Sequence, residues 1–356
     1  MTDRANVTIK PKISQKEKRE MPYQAIVIIL LFALIGVVLL SLCTGRYYIH
    51  IKEVLNIFIS KYTPLDLAYD QKAEPVIYTL RLPRIIAAVL VGGALSLSGA
   101  CYQGVFQNPL VAPDMLGVSA GACIGASLGI LFGLNSFAIQ GCAFIGGLAA
   151  VLLTTTVPKV IKNRSIMMLV ISGIIVSGLM NSIMGIIKYL ADPETQLAEI
   201  TYWQLGSLAQ VTMKDIKIIL PVVVIASLIL LVIRWRINIL SLGESEARTM
   251  GIDVEAIKRI IIICATILTA SSVCISGTIG WIGLVIPHLA RMMVGSDNIK
   301  VLPVSLILGS IFLVSIDTLS RVMTSAELPL GILTGLIGAP FYFYLLLRQR
   351  MRLGWN

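Results

Sequence analysis

Long apolar runs separated by short polar segments fill the chain, and each run has the length that crosses a bilayer. A spanning helix needs about 20 predominantly apolar residues. Runs of that kind lie near 24–43, 84–106, 114–134, 137–157, 166–190, 215–234, 258–276, 279–295, 302–322 and 329–347. The pattern predicts an all-α polytopic membrane protein of ten spans. It forms a single domain over 24–350, between polar tails at 1–23 and 351–356. The eighth run is the least regular, because Pro287, His288 and Arg291 interrupt it. The first run follows about twenty polar residues, is long enough to span and is not followed by a small-residue cleavage pattern. It therefore reads as a span and not as a secretory signal.

Composition agrees. Charged residues are 13% of the 356 and hydrophobic residues 56%, against roughly 25% charged in soluble domains. The formal charge of +10 does not indicate nucleic acid, since Lys and Arg sit in short loops and not along one face. It acts instead as an orientation signal. With both termini in the cytoplasm, 19 of the 29 basic residues fall on that side, the bias expected of a cytoplasmic face. The exceptions are Arg81 and Arg84 at the outer mouth of the second span and Arg321 at the outer end of the ninth. Interfacial snorkelling is the plain account of them; an electropositive outer face that receives an acidic partner is the functional one. The six cysteines form no C-x-x-C and no His/Cys cluster, so neither a disulfide framework nor a metal site is indicated.

Two further patterns concern packing and coupling. Gly117, Gly121, Gly125, Gly129 and Gly133 recur every fourth residue along the third span, which predicts a close helix crossing. The polar segment 236–257 holds Ser241 and Glu244 at capping-box spacing, Gly251 as a helix stop and Asp253 as an N-cap. Together these predict two short helices joined at a bend, a rigid surface for another protein.

There is no G-x-x-x-x-G-K-[ST] in the chain, so any nucleotide energy must come from a separate subunit. An ion-coupled secondary transporter is the alternative and needs ionisable groups inside the spans. Asp317 and His288 are the candidates. An i,i+4 pair with Arg321 accounts for the first, and a bond to a carbonyl freed by Pro287 accounts for the second. An intramembrane enzyme is disfavoured, because only His50 and His288 are available.

The residues Arg81-Leu-Pro-Arg84, Gln107-Asn-Pro-Leu-Val-Ala-Pro113, Trp203-Gln-Leu-Gly206, Gly277-Thr-Ile-Gly280-Trp281 and Glu327-Leu-Pro-Leu-Gly331 together resemble the FecCD-type permeases. These are the membrane subunits of ABC importers for iron–siderophore, haem and cobalamin complexes. The resemblance covers about four-fifths of the chain, in order. Trp281 stands where an aromatic Phe is usual, and Ser296-Asp297-Asn298 replaces a more basic run.

What the resemblance implies is specific. It gives ten helices in two inverted halves, paired with a second permease copy, in a bacterial or archaeal cytoplasmic membrane. Arg81, Arg84 and Arg321 would dock an extracytoplasmic substrate-binding protein. Gly243, Glu244, Ala247 and Gly251 would contact an ABC ATPase. Asn108 and Leu110 would form the cytoplasmic gate. It implies no cofactor and no catalysis by this chain, with an iron–siderophore as the leading cargo.

Overall fold

The computed structural model describes residues 21–63, 68–163, 165–324 and 326–353. Of the two tails, 1–20 and 354–356 lie outside the described residues. The described residues are helical in the order α1 (Tyr23–Cys43), α2 (Ile51–Tyr62), α3 (Ala73–Pro75), a π-helical stretch (Val76–Arg81), α4 (Leu82–Val105), a 3-10 turn (Pro113–Leu116) and α5 (Val118–Leu131). They continue through α6 (Ser136–Val160), α7 (Ile166–Leu190), α8 (Gln196–Leu205), α9 (Met213–Val232), α10 (Arg234–Leu240) and α11 (Glu244–Thr249). The last four are α12 (Val254–Ser276), α13 (Ile282–Val294), α14 (Asn298–Met323) and α15 (Leu330–Leu353). Among the described residues seven helices have the length and apolarity to cross a membrane, and three shorter apolar ones, α5, α13 and the Leu330–Leu345 part of α15, complete the expected ten.

The layering follows from where the small residues fall. α4 is the central element, buried along almost its whole length, and packs against α14, α12 and α13. Lipid-like surroundings give no hydrophobic force between helices, so close backbone approach and hydroxyl–carbonyl bonds hold them. A methyl group on Gly92 would overlap the Gly309 carbonyl, and one on Gly99 would overlap Gly283. Alongside these contacts Ser96 Oγ donates to the Ser305 carbonyl at 2.5 Å and Ser310 Oγ to the Val89 carbonyl at 2.8 Å. Ser98 Oγ does the same toward Ala265 on α12, at 3.1 Å. α4 and α14 thus form one locked pair.

The glycine series in the third span divides into two jobs. Gly121, Gly125 and Gly129 face α6, where added methyl groups would meet Gly146, Cys142 and Ile139. Gly117 and Gly133 lie outside the helix at φ 82° and 63°. They shape the turns on either side, so the ridge is three residues long and not five.

Two expectations for the segment 236–257 need correction. Ser241 has helical backbone angles and closes α10, its Oγ donating to the Asn238 carbonyl at 2.6 Å. It cannot also be the extended N-cap of the next helix. Gly243, at φ 132°, occupies that place, and Glu244 pairs with Lys258, so no capping box forms. The two helices are α11 and the start of α12, which runs unbroken into its span.

The stop and the second cap match the expectation. Gly251 (φ 78°) donates to Arg248 O at 3.0 Å and Ile252 to Ala247 O at 3.1 Å, the paired bonds of a glycine-terminated helix end. Asp253 accepts from the Ala256 N–H at 3.0 Å. The eighth span is also more continuous than its residues suggest, since α13 runs on through Pro287. The His288 ring there meets Tyr342 edge-on, with centroids 6.3 Å apart.

Candidate functional site

At one end of the bundle, four charges from two distant stretches of the chain converge. Arg84, in the first turn of α4, donates from Nε to Asp317 Oδ1 at 2.6 Å and from Nη1 to Glu327 Oε2 at 2.7 Å. Arg321 faces Asp317 one helical turn away, at 3.3 Å. Its Nη2 also donates to Ser41 Oγ at 2.5 Å. Arg81, placed by the π-helical stretch, turns back onto α1 and donates to the carbonyls of Leu42 and Tyr47. Burying charges is costly unless each is paired and hydrogen-bonded. Arg84 meets that condition, whereas Asp317 Oδ2 and Arg321 Nε face each other without a hydrogen bond and Arg81 is held by neutral carbonyls. Glu327 sits in the left-handed region at φ 52°, so the loop before α15 is bent to bring its carboxylate to Arg84.

Beside the cluster lies a cavity of about 770 Å³. Its wall includes Arg46, Gln140, Glu199, Trp203, Ser276 and Glu327. The cavity is bounded where the end of α8, the end of α12 and the start of α15 are tied together. Gly206, at φ 77°, makes that junction, since its carbonyl accepts from Leu330 N–H at 2.9 Å. Ser207 N–H donates to Ser276 O at 2.8 Å, and Thr278 Oγ1 to Gln204 O at 2.5 Å.

At the opposite end, the turn 107–113 is closed by Asn108, whose Oδ1 accepts from the Leu110 N–H at 2.9 Å. Asn108 and Leu110 are both exposed. Gln107 is held at φ 50°, and its Nε2 donates to the Leu240 carbonyl at 2.8 Å. The segment with α10 and α11 thus touches the turn directly. Along the flank, α7 exposes Gly178, Asn181, Ser182, Gly185 and Tyr189, positions that share one helical face. Added methyl groups on Gly178 and Gly185 would meet nothing. An exposed Asn on a spanning helix is costly against lipid tails and fits an aqueous lining or a partner helix.

A family model for the FecCD transport family matches residues 31–348. The chain belongs to the FecCD transport family. It is a multi-pass permease of the ABC-transporter kind. The molybdate import permease MolB of Haemophilus influenzae is 36% identical over 320 residues, covering 90% of this chain and 94% of that one. The cobalamin import permease BtuC of Halobacterium salinarum is 38% identical over 290 residues, 81% of this chain and 78% of that one. A solved structure described as an inward-facing metal-chelate type ABC transporter superposes with a TM-score of 0.83. It is 34% identical and covers 92% of this chain and 100% of that one.

Within this FecCD permease the expected site residues are partly rearranged. Arg81, Arg84 and Arg321 were expected on open surface. They are instead buried, at 5%, 6% and 7% exposure. Their carboxylate partners Asp317 and Glu327 draw two of them inward, and the carbonyls of Leu42 in α1 and Tyr47 just beyond it draw in Arg81. Arg46 is an exposed cation at this end and lines both the large cavity and a smaller one beside Arg321. Its signal in the sequence was only one basic residue in a long polar loop.

Gly243, Glu244, Ala247 and Gly251 do lie together on α11 and its ends, with Ala247 fully buried. Glu327 and Gln107 stood in the sequence motifs without an assigned job. Geometry supplies one for each, a clamp on Arg84 and a bond to the α10 end.

Proposed function

We propose that two copies of a permease of this kind enclose a conduit that carries a metal chelate into the cytoplasm, with an iron–siderophore as cargo. A separate ABC ATPase would drive it through 236–257, and an extracytoplasmic binding protein would feed it at the arginine end. Both termini are then cytoplasmic, as the distribution of basic residues favours. The α7 face of Gly178, Asn181, Ser182 and Gly185 lines the path, and the turn carrying Asn108 and Leu110 closes it on the inner side. The family's arginines keep their docking role in altered form. Arg81, Arg84 and Arg321 brace the rim from within, and Arg46 presents the charge that meets an acidic partner.

The observation that carries the cargo reading is the cavity beside the rim. Its volume, about 770 Å³, lies in the range of small-molecule sites and suits a chelate better than a compact ion. Its wall bears Arg46 against Glu199 and Glu327, with Trp203 and Tyr202 as apolar surface. That balance gives no excess positive charge for an oxyanion such as the molybdate of MolB.

The test is a transport panel. Proteoliposomes holding the permease, its ATPase and its binding protein are offered ferric trihydroxamate, haemin, cobalamin or molybdate. ATP-dependent accumulation of the ferric chelate alone supports the reading, and accumulation of molybdate alone overturns it. Arg46→Glu is expected to weaken stimulation of ATP hydrolysis by the binding protein about tenfold, the effect of losing and reversing one rim charge. Unchanged stimulation removes Arg46 from the dock.

A further inference from the structure

We propose that Asn238 is the positioning residue through which movement of the segment 236–257 reaches the turn 107–113 and α14. The proposal rests on reading that segment as the ATPase contact. Asn238 lies on α10 and uses its carboxamide in both directions. Nδ2 donates to Asp297 Oδ1 at 2.6 Å, and Oδ1 accepts from the backbone N–H of Asn298 at 2.7 Å. Those two residues are the N-cap and the first residue of α14, and the same Asp297 oxygen caps Ile299 N–H at 2.9 Å. The amide is therefore built into the cap of a long membrane helix. Asn298 is 3% exposed, while Asn238 and Asp297 are half-buried, so the clamp sits at the edge of the packed core.

The neighbouring residues of α10 grip α4 in the same way. Ile237 is fully buried, and a methyl group added to Gly104 would come within 2.6 Å of its Cγ2. The Leu240 carbonyl takes the Gln107 amide described above. Gln107 sits in a backbone region that costs a non-glycine residue energy, and that bond helps hold it there. Residues 237, 238 and 240 thus fasten one short helix to the end of α4, to the gate turn and to the start of α14.

An idle connector needs only apolar contact, whereas an amide bonded in both directions fixes register and direction. Beyond the clamp, α14 runs 26 residues, about 39 Å at the α-helical rise, and carries Asp317 and Arg321 toward its far end. Locked to α4 by Gly92 and Gly309, it forms a stiff link from the segment to the arginine cluster.

Hydrogen–deuterium exchange on the permease–ATPase complex in nanodiscs, with and without ATP and vanadate, reads the relay without any cargo. In the wild-type complex nucleotide should change exchange at 244–252, 107–113 and 297–301 together. Asn238→Asp sets a carboxylate against Asp297. It should leave the response at 244–252 while the other two fall about fivefold or more, the low end of couplings between sites. The double variant N238D/D297N exchanges the two groups, restores one amide and one carboxylate, and should restore the responses. If N238D lowers the melting temperature but all three segments still respond, Asn238 is only a structural cap and the proposal fails. It fails equally if the exchanged pair responds no better than N238D. A wild-type complex whose 244–252 segment ignores nucleotide overturns the ATPase reading itself, and the relay with it.

Discussion

Replacing Asp317 by Asn removes the one carboxylate that faces two buried arginines while keeping its shape. Its side chain is 1% exposed, and the guanidinium nitrogens of Arg84 and Arg321 lie 2.6 and 3.3 Å away. At an effective dielectric near 20, the longer contact alone corresponds to about 5 kcal/mol of attraction. Desolvation of both ions offsets much of that in the intact pair. Breaking such a pair by removing one member costs about 3–5 kcal/mol, because the other charge stays buried without compensation.

For Asp317→Asn the expected loss is near the low end, since Glu327 still holds Arg84 and the introduced amide oxygen still accepts. Arg321→Met should then be far less harmful when combined with Asp317→Asn than alone. The cycle should show a coupling of about 1–3 kcal/mol, typical of contacting charged groups. Chemical unfolding of the four proteins of the cycle in one detergent reads it. Additivity within about 0.5 kcal/mol would refute the argument that the cluster is a mutually dependent unit.

Three other outcomes follow from the same geometry. Gly125→Ala forces a methyl group into the Cys142 carbonyl and should destabilise by about 1–3 kcal/mol, as overpacking does; Gly141→Ala, with open space around it, serves as the control in the same thermal-shift assay. Gly251→Ala places a side chain at φ 78°, with an expected cost of about 1 kcal/mol in stability, and should loosen exchange protection at 247–252 first. In the polar loop, the Tyr47 hydroxyl at 2.5 Å and the Lys72 backbone N–H hold the Asp70 carboxyl below the usual carboxylate range. A carboxyl held low stabilises the folded loop above its unfolded value of about 4 and loses that contribution as pH falls through the folded value. Exchange at 47–72 should therefore rise only under acid, and Tyr47→Phe should move that rise to higher pH.

How much of this was legible in the sequence depended on range. Features written within one helical turn were readable. The Asp317–Arg321 pair, the Gly251 stop and the Asp253 cap need only their neighbours, and the apolar runs need only counting. Spacing alone misled where two elements share a residue. Ser241 has the spacing of a capping box but belongs to the end of α10. Gly117 and Gly133 continue a four-residue period but lie outside α5.

Contacts across the chain were not readable at all. Glu327 reaches Arg84 across 243 positions, and Asn238 reaches Asp297 across 59. For that reason three arginines that read as an exposed rim turn out to be buried bracing. The exposed cation that lines both cavities is Arg46, which no local pattern marked.

The central claim is that the spans supply the path and a separate ATPase supplies the power. Uptake of iron-55 ferric trihydroxamate into proteoliposomes tests it most directly, with the ATPase, the binding protein, internal ATP and a proton ionophore each varied in turn. The account predicts uptake that needs the ATPase, the binding protein and ATP together and is indifferent to the ionophore. Uptake that persists without the ATPase and collapses with the ionophore would contradict it and identify an ion-coupled carrier.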